Sequence, residues 1–269
     1  MKTLSRIYNV IIFGLLYFPI IMVIVFSFNS ARYTPMEWKD FSLQWYEKLF
    51  QNEEILNALS VTLQVALIST LAATVIGTLA AIGIHAMNRK LRRVMLTINN
   101  FPMVNPEVVS GVAFMLLFVA LAAVLPVFKP GFFTLCIAHV TFCTPYVVLQ
   151  IMPKLRQTDG RLYEAALDLG CTPLQAFFKV TIPEILPGIL TGALMAFTMS
   201  LDDFAISYFT AGSSAQTLSV TIYSMVKRPV TPEIYALSTL LFGTVFVLLL
   251  LANIGQVRDI SRRSKRARR

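Results

Sequence analysis

Two adjacent aspartates, Asp202 and Asp203, lie inside an apolar segment of this 269-residue chain. A carboxylate at the centre of a membrane helix costs roughly 2.5–3.5 kcal/mol on insertion scales, so a pair requires an interior, hydrated or cation-paired setting. An organic polycation would supply such a partner. The pair therefore indicates a pathway for a positively charged substrate.

The two carboxylates cannot point in the same direction, because successive residues diverge by about 100° around a helix. We expect Asp203 to face the pathway, since it lies on the side of Ser200 and Ser207. Asp202 is then expected to hydrogen-bond Thr198 or a neighbouring helix.

Three further residues extend this candidate pathway. Phe204 and Tyr208 are four residues apart and can either offer ring faces to an ammonium group or simply pack against lipid and neighbouring helices. Glu107 is a third acidic contact if the chain is interrupted at membrane depth beside it, and a helix cap at the cytosolic surface otherwise.

The composition indicates which secondary-structure elements carry these residues. The chain is 56% hydrophobic and 14% charged, with a mean hydropathy of +0.69, so we predict an all-α integral membrane protein with one transmembrane domain over residues 1–269. Six apolar runs approach the ~20 residues that span a bilayer. They cover residues 7–28, 58–85, 94–122, 132–152, 188–209 and 235–257, with a hydrophilic loop at 153–187 and a basic tail at 258–269.

The basic residues fix the predicted orientation. With the N-terminus in the cytosol, 17 of the 23 Lys and Arg residues lie in inner segments and 6 in outer segments. This asymmetry predicts that both termini are cytoplasmic. The net charge of +9 is explained by this distribution and by the tail on the anionic leaflet, and we do not expect nucleic-acid binding.

The third predicted span is long and contains Pro102 and Pro106. Proline cannot continue a helix ladder, so the span is either broken at 102–106 within the membrane or begins at Val108 after a cytosolic break. Both interpretations stay open.

Two spans carry small residues at every fourth position, a spacing that lets helix backbones approach closely in lipid. These stripes predict either helix contacts within the chain or a seam with a second subunit. The first consists of Ser69, Ala73, Gly77 and Ala81, and the second of Gly188, Gly192, Ala196 and Ser200.

The outer segments lack catalytic groups, but their sequences predict some regular structure. Residues 41–50 predict a short amphipathic helix at the interface, with Trp45 and Tyr46 at that depth, and residues 211–232 are expected to fold partly back into the bundle.

The chain has no signature of an energy-converting or catalytic site. It contains no Gly-x-x-x-x-Gly-Lys-Ser/Thr motif, no His/Cys/carboxylate group at metal-ligand spacing and no nucleophile–base pair. We therefore predict a non-enzyme with no cofactor or metal of its own. His139, alone in the fourth span, is expected to make a helix-packing hydrogen bond.

The loop at 153–187 is predicted to form two short helices. Leu162, Ala165, Ala166 and Leu169 form an apolar stripe on the first, which Gly170 ends. The second begins with a capping box from Thr172 to Gln175 with proline at its first position. Its inner face is expected to consist of Leu174, Phe177, Phe178 and Thr181, and Ile182 to Pro187 are expected to end the loop.

This loop resembles the EAA loop of ABC importer permeases, in which a rigid helix pair seats in a groove of the ATPase subunit. The resemblance rests on Glu-Ala-Ala at 164–166, the glycine four residues later and the closing Ile-Pro-x-Ile-x-Pro. It implies ATPase coupling by Glu164, Ala165, Ala166, Asp168, Gly170, Pro183 and Pro187.

The resemblance covers essentially the whole chain and is greatest to the polyamine branch, the C-type permeases of spermidine/putrescine importers. It extends to Trp45-Tyr46 and to the segments at 102–107, 138–142 and 200–204. It implies a type I importer in a bacterial inner membrane, with a second homologous permease, two ATPase copies that use ATP and Mg²⁺, and an extracytoplasmic polyamine-binding protein.

Two alternatives stay open from the sequence. A related permease for ferric iron fits the acidic pair, whereas oxyanion permeases fit poorly because the carboxylates would repel the substrate. A stand-alone ion-coupled carrier or channel is a different class, which the EAA-like loop disfavours.

Overall fold

The computed structural model describes residues 2–31, 37–227, 232–244 and 246, with the backbone alone for 2–5 and 7. These residues are almost entirely helical, and apart from one isolated bridge between Asn29 and Phe41 they contain no β-structure. The chain divides into two units, one formed by residues 1–56 with 222–269 and the other by 57–221. The predicted all-α membrane class is confirmed.

The first unit contains α1 (Lys2–Ser27) and α2 (Gln44–Gln51). The apolar side chains of α1 are exposed, as lipid-facing side chains of a membrane helix are. Trp45 on α2, which was predicted to lie at the membrane interface, is buried, and its indole Nε1 donates to the Asn29 carbonyl at 2.7 Å. The ring therefore anchors α2 to the end of α1.

The second unit is built mainly on α3 (Glu53–Ala86), α4 (Arg89–Val104), α5 (Glu107–Ala122) and α6 (Phe132–Gln157). A one-turn 3₁₀ helix at Pro126–Phe128 connects α5 to α6. The third predicted span is interrupted, and its two parts, α4 and α5, meet at 101°. Pro102 lies inside α4, and the break falls at Asn105 and Pro106, where the missing proline N–H cannot continue the ladder.

The predicted loop helices are α7 (Gly160–Asp168) and α8 (Pro173–Ala176). Ile182 to Pro187 were expected to end the loop, but they are helical: the chain continues from α8 through a π-turn at Phe177–Thr181 into α9 (Ile182–Asp202). Pro183 lies in the first turn of α9, where its missing N–H is tolerated, and Pro187 lies inside the helix.

The predicted fifth span, 188–209, is also interrupted, because α9 ends at Asp202 and α10 covers Ala205–Thr210. The chain then turns back into the bundle, where Ala211 and Ala215 pack against Val65, Leu135 and Cys136 before α11 (Leu218–Val226) begins. We had predicted that the segment at 211–232 folds partly back into the bundle.

The number of spans can be counted only within the described residues. Four continuous helical stretches there are long and apolar enough to cross a membrane, and the bent α4–α5 pair makes a fifth. A helix α12 occupies residues 233–244, but most of the sixth predicted span and the whole basic tail lie outside the described residues. Six spans and cytoplasmic termini stay predictions.

Both small-residue stripes form contacts within the chain. On α9, the stripe follows buried residues of α6 one turn at a time, with Gly192 against Val147 and Ser200 against His139. On α3, Gly77 lies so close to Val147 that a Cβ would be 2.7 Å from that side chain. Helix α6 is thus held between α3 and α9, as close packing in lipid requires.

Replacing Gly192 by leucine should destabilise the assembled transporter, because even a Cβ at this position would lie 3.3 Å from the Val147 Cα and 3.4 Å from its carbonyl oxygen. Backbone atoms cannot move aside cheaply, and overpacking typically costs about 1–3 kcal/mol. The apparent melting temperature of the purified complex measures this. Gly83→Leu is the matched control, since nothing lies within 4 Å of a Cβ there. An equal fall of the melting temperature in both variants would contradict the close packing of Gly192 on Val147.

Candidate functional site

The break between α4 and α5 lies alongside the middle of α6. Asn99 of α4 donates to the carbonyl of Pro145, which is halfway along α6, and the break follows six residues later. Glu107 is the first residue of α5 and is exposed. It lies close enough to Tyr146 on α6 to interact with it electrostatically. This geometry favours an interruption at membrane depth over a span that begins at Val108.

The break between α9 and α10 orients the two aspartates in opposite ways. Asp202 is exposed at the last residue of α9. Asp203 is 6% exposed and accepts the backbone N–H groups of Ile206 at 3.3 Å and Ser207 at 2.7 Å, which caps α10. We expected Asp203 to face the pathway, and in this respect the structure differs.

The reason is that the side shared by Ser200, Asp203 and Ser207 is the packed interior against α6. His139 lies there, with Nδ1 at 2.7 Å from the Ser200 hydroxyl and Nε2 at 3.1 Å from the Ser207 hydroxyl. Its Nε2 is 3.4 Å from the Asp203 carboxylate. The helix-packing hydrogen bond predicted for His139 is confirmed, and Asp203 is part of the same buried cluster.

Replacing Asp203 by alanine should lower the stability of the complex by about 2 kcal/mol, because two backbone N–H groups and His139 would lose a charged acceptor. Its neighbour is the control: Asp202→Ala removes an exposed carboxylate and should change stability by less than about 0.5 kcal/mol. Thermal unfolding of both variants measures the difference. If the two melt alike, Asp203 does not hold the α9–α10 junction.

The aromatic pair lies directly after the break. The rings of Phe204 and Tyr208 are 5.6 Å apart, and Tyr208 is 48% exposed while Phe204 is half-buried. Tyr208 also contacts Phe209 edge-on at 5.3 Å. The exposed part of Tyr208 is on the same junction as Asp202, so a partly exposed ring and an exposed carboxylate lie at one interruption of the span.

The loop between α6 and α9 turns at Gly170. Its φ of +86° is the left-handed conformation that glycine adopts readily. The N–H of Gly170 donates to the Leu167 carbonyl and that of Cys171 to the Ala166 carbonyl, so α7 ends in a Schellman motif. The capping box at the start of α8 is confirmed, with Thr172 and Gln175 bonded reciprocally at 3.2 and 3.3 Å.

The side chains of this loop are more exposed than we expected. Only Ala166 of the first predicted stripe is buried, whereas Leu169 is 87% exposed. On the second helix, Leu174 and Phe178 are 71% and 64% exposed. The loop therefore presents apolar side chains outward instead of packing them on its own bundle, a pattern typical of an interaction surface.

The residues that the resemblance implies for coupling are distributed over this surface. Glu164, Ala165 and Asp168 are exposed on α7, and Pro183 is exposed on α9, while Pro187 is half-buried. Among the described residues, no three His, Cys, Asp or Glu side chains are grouped as metal ligands would be.

One group of polar residues was not predicted from the sequence. Four arginines that we had used only to assign membrane orientation line a single cavity: Arg89, Arg92, Arg93 and Arg156. The spacing of Arg89 and Arg93, four residues apart on a helix, was the available signal.

An all-helical membrane bundle with interrupted spans and an outward-facing loop defines the class of a transport permease. Residues 73–265 match the family described as the inner membrane component of binding-protein-dependent transport systems, and the chain belongs to this family. Its members are non-catalytic permeases of ABC importers, and a separate ATPase hydrolyses ATP.

Relatives in the same family transport polyamines according to their names. The chain is 39% identical to the putrescine transport system permease PotI of Escherichia coli K12, over 93% of this chain and 92% of that protein. It is 36% identical to the spermidine/putrescine permease PotC of Haemophilus influenzae, over 91% and 93%.

Solved structures agree on the fold. A subunit of a bacterial alginate ABC transporter, in complex with its periplasmic protein, aligns with a TM-score of 0.72 at 18% identity, over 93% of this chain and 91% of that chain.

Proposed function

We propose that this chain is a permease subunit of an ATP-driven polyamine importer, in which it forms half of the translocation pathway. The observation that carries the proposal is the 36–39% identity, over about nine-tenths of the chain, to permeases named for putrescine and spermidine transport. Membership of an ABC importer family also sets aside the stand-alone carrier or channel.

The distribution of negative charge supports a cationic substrate. Glu107 and Asp202 are exposed, and each lies at the interruption of an apolar span. A diamine or triamine would be stabilised there, whereas an oxyanion would be repelled.

The proposed partners follow from the exposed loop and from the family. The EAA-like segment, with Leu169 and Leu174 outward, is the surface we assign to one of two ATPase copies, which would bind ATP and Mg²⁺. A second homologous permease would complete the pathway, and an extracytoplasmic binding protein would deliver the polyamine. We assign the loop and both termini to the cytoplasmic side of a bacterial inner membrane, in agreement with the basic-residue asymmetry.

ATP hydrolysis by the reconstituted complex, with its binding protein, tests the substrate. We expect stimulation by putrescine or spermidine and none by ferric iron. Stimulation by ferric iron alone would favour the related cation permease, and stimulation by neither would refute the polyamine assignment.

A further inference from the structure

A basic cavity of about 510 Å³ lies between α4 and α6, within the range of roughly 300–1,000 Å³ that ligand pockets occupy. We call it the arginine cavity. Its polar lining consists of Arg89, Arg92, Arg93, Thr97, Asn100 and Arg156. Arg156 is in the last turn of α6, four residues before α7 begins, so the cavity adjoins the start of the coupling loop.

The positive charge of this cavity is not balanced within the part of the chain that the structure describes. No carboxylate there lies within ion-pair distance of any of the four arginines. Like charges gathered at short range repel one another, and the repulsion is stronger near a membrane than in bulk water. An anion in the cavity would remove this cost.

One of the four arginines is held rigidly in place. The Arg92 guanidinium donates to the carbonyls of His85 and Met87 at the end of α3, the latter at 3.0 Å. Its Nε is buried and has no hydrogen-bond partner in the structure. Planar guanidinium groups with free donors match the oxygens of a phosphate particularly well.

The surface of α4 next to the cavity is apolar. Arg89, Arg93, Thr97 and Asn100 follow one line along the helix, at steps of three or four residues. Beside it runs a second line, in which Val94, Ile98 and Phe101 are 52%, 59% and 65% exposed. A free anion would make no favourable contact with this apolar line, whereas a phospholipid would place its acyl chains against it.

We propose that the arginine cavity binds the phosphate of an anionic phospholipid from the cytoplasmic leaflet. The assignment to the cytoplasmic leaflet rests on the proposed function, whereas the assignment of the binding site rests on the four arginines. Basic pockets between membrane helices are a known way of binding anionic headgroups. The lipid connects α4 to the end of α6, directly below the loop assigned to the ATPase.

Lipid binding to the intact transporter tests this proposal. The complex is placed in phosphatidylcholine nanodiscs with increasing phosphatidylglycerol, and the phosphatidylglycerol retained per complex is measured by native mass spectrometry. The test variant combines Arg89→Gln, Arg93→Gln and Arg156→Gln, and it keeps Arg92 because that side chain holds the end of α3. We expect roughly 10- to 100-fold weaker retention, because losing a charge-assisted hydrogen bond to a phosphate lowers affinity by about one to two powers of ten.

A charge-matched control separates the cavity from general attraction. Lys90→Gln, Arg161→Gln and Lys179→Gln remove three exposed charges outside the cavity lining and should leave selective retention intact. Equal losses in both triple variants would overturn the proposal. The melting temperature in phosphatidylcholine alone should be unchanged or higher in the test variant, because charge repulsion is relieved, and a large fall would show that these arginines serve only the fold.

Two further results would identify a different occupant. If inorganic phosphate displaces the bound lipid at millimolar concentration, the cavity is a site for free phosphate. If the variant Arg93→Cys crosslinks to the ATPase in the assembled complex, the cavity is a protein interface. Because lipid retention is measured without polyamine or ATP, its failure is distinguishable from a failure of the polyamine assignment.

Discussion

Replacing Asp202 by asparagine should reduce polyamine uptake by about 10- to 100-fold while the transporter still assembles. Asp202 is exposed at the end of α9, beside the interruption of the span, and it makes no side-chain hydrogen bond within the described residues. A hydrogen bond to a charged group is worth roughly 1.5–3 kcal/mol, and asparagine retains the shape but not the charge. Uptake of labelled putrescine into proteoliposomes measures the effect.

Two variants serve as controls for this prediction: a conservative substitution of Asp202 and a substitution of its buried neighbour Asp203. Asp202→Glu should recover a large part of the uptake, because it restores the charge. Asp203→Asn should affect melting more than uptake per folded complex, since Asp203 is buried and caps α10. Wild-type uptake by Asp202→Asn would remove this residue from the pathway.

Replacing Gly170 by valine should abolish most of the substrate-stimulated ATP hydrolysis of the reconstituted transporter. At a φ of +86° a β-branched side chain is strongly disfavoured, so the turn between α7 and α8 would open or shift. Strained backbone of this kind costs about 1–3 kcal/mol, enough to displace the exposed Leu169 and Leu174 from a partner surface. Hydrolysis with and without putrescine measures the coupling.

The other end of the same helix supplies the matched control. Gly160 begins α7, has no positive φ and has nothing within 4 Å of a Cβ, so Gly160→Val should retain stimulation. Nothing lies within 4 Å of a Cβ at Gly170 either, so a loss confined to Gly170→Val reports backbone conformation. Full stimulation in Gly170→Val would show that this turn does not transmit force.

Local chemistry made much of the fold predictable. Apolar runs gave the long helices, and Gly170 and the Thr172–Gln175 capping box gave the turn in the loop, because these signals act over a few residues. The EAA-like residues gave the family. The small-residue stripes predicted close helix contacts, but only the packing of Gly77 and Gly192 on Val147 decided that the partner is α6 of the same chain.

The continuation of α8 into α9 could not be predicted from the same local signals. Ile182 to Pro187 were expected to end the loop, and proline disfavours a helix interior because it lacks the backbone N–H. In the structure this segment is the start of α9, which follows directly on the π-turn at Phe177–Thr181.

The sequence by itself determined that this chain is a helical membrane permease with acidic residues in its apolar segments and with a separate ATPase, because hydrophobicity, charge asymmetry and short motifs are read from neighbouring residues. Only the tertiary structure decided that Asp202 is exposed and that Asp203 belongs to a buried cluster with His139. The same holds for the convergence of Arg89, Arg93 and Arg156 on one cavity. The direction of a side chain depends on where its helix breaks and on which helix packs beside it, and both are set by residues far away in the chain.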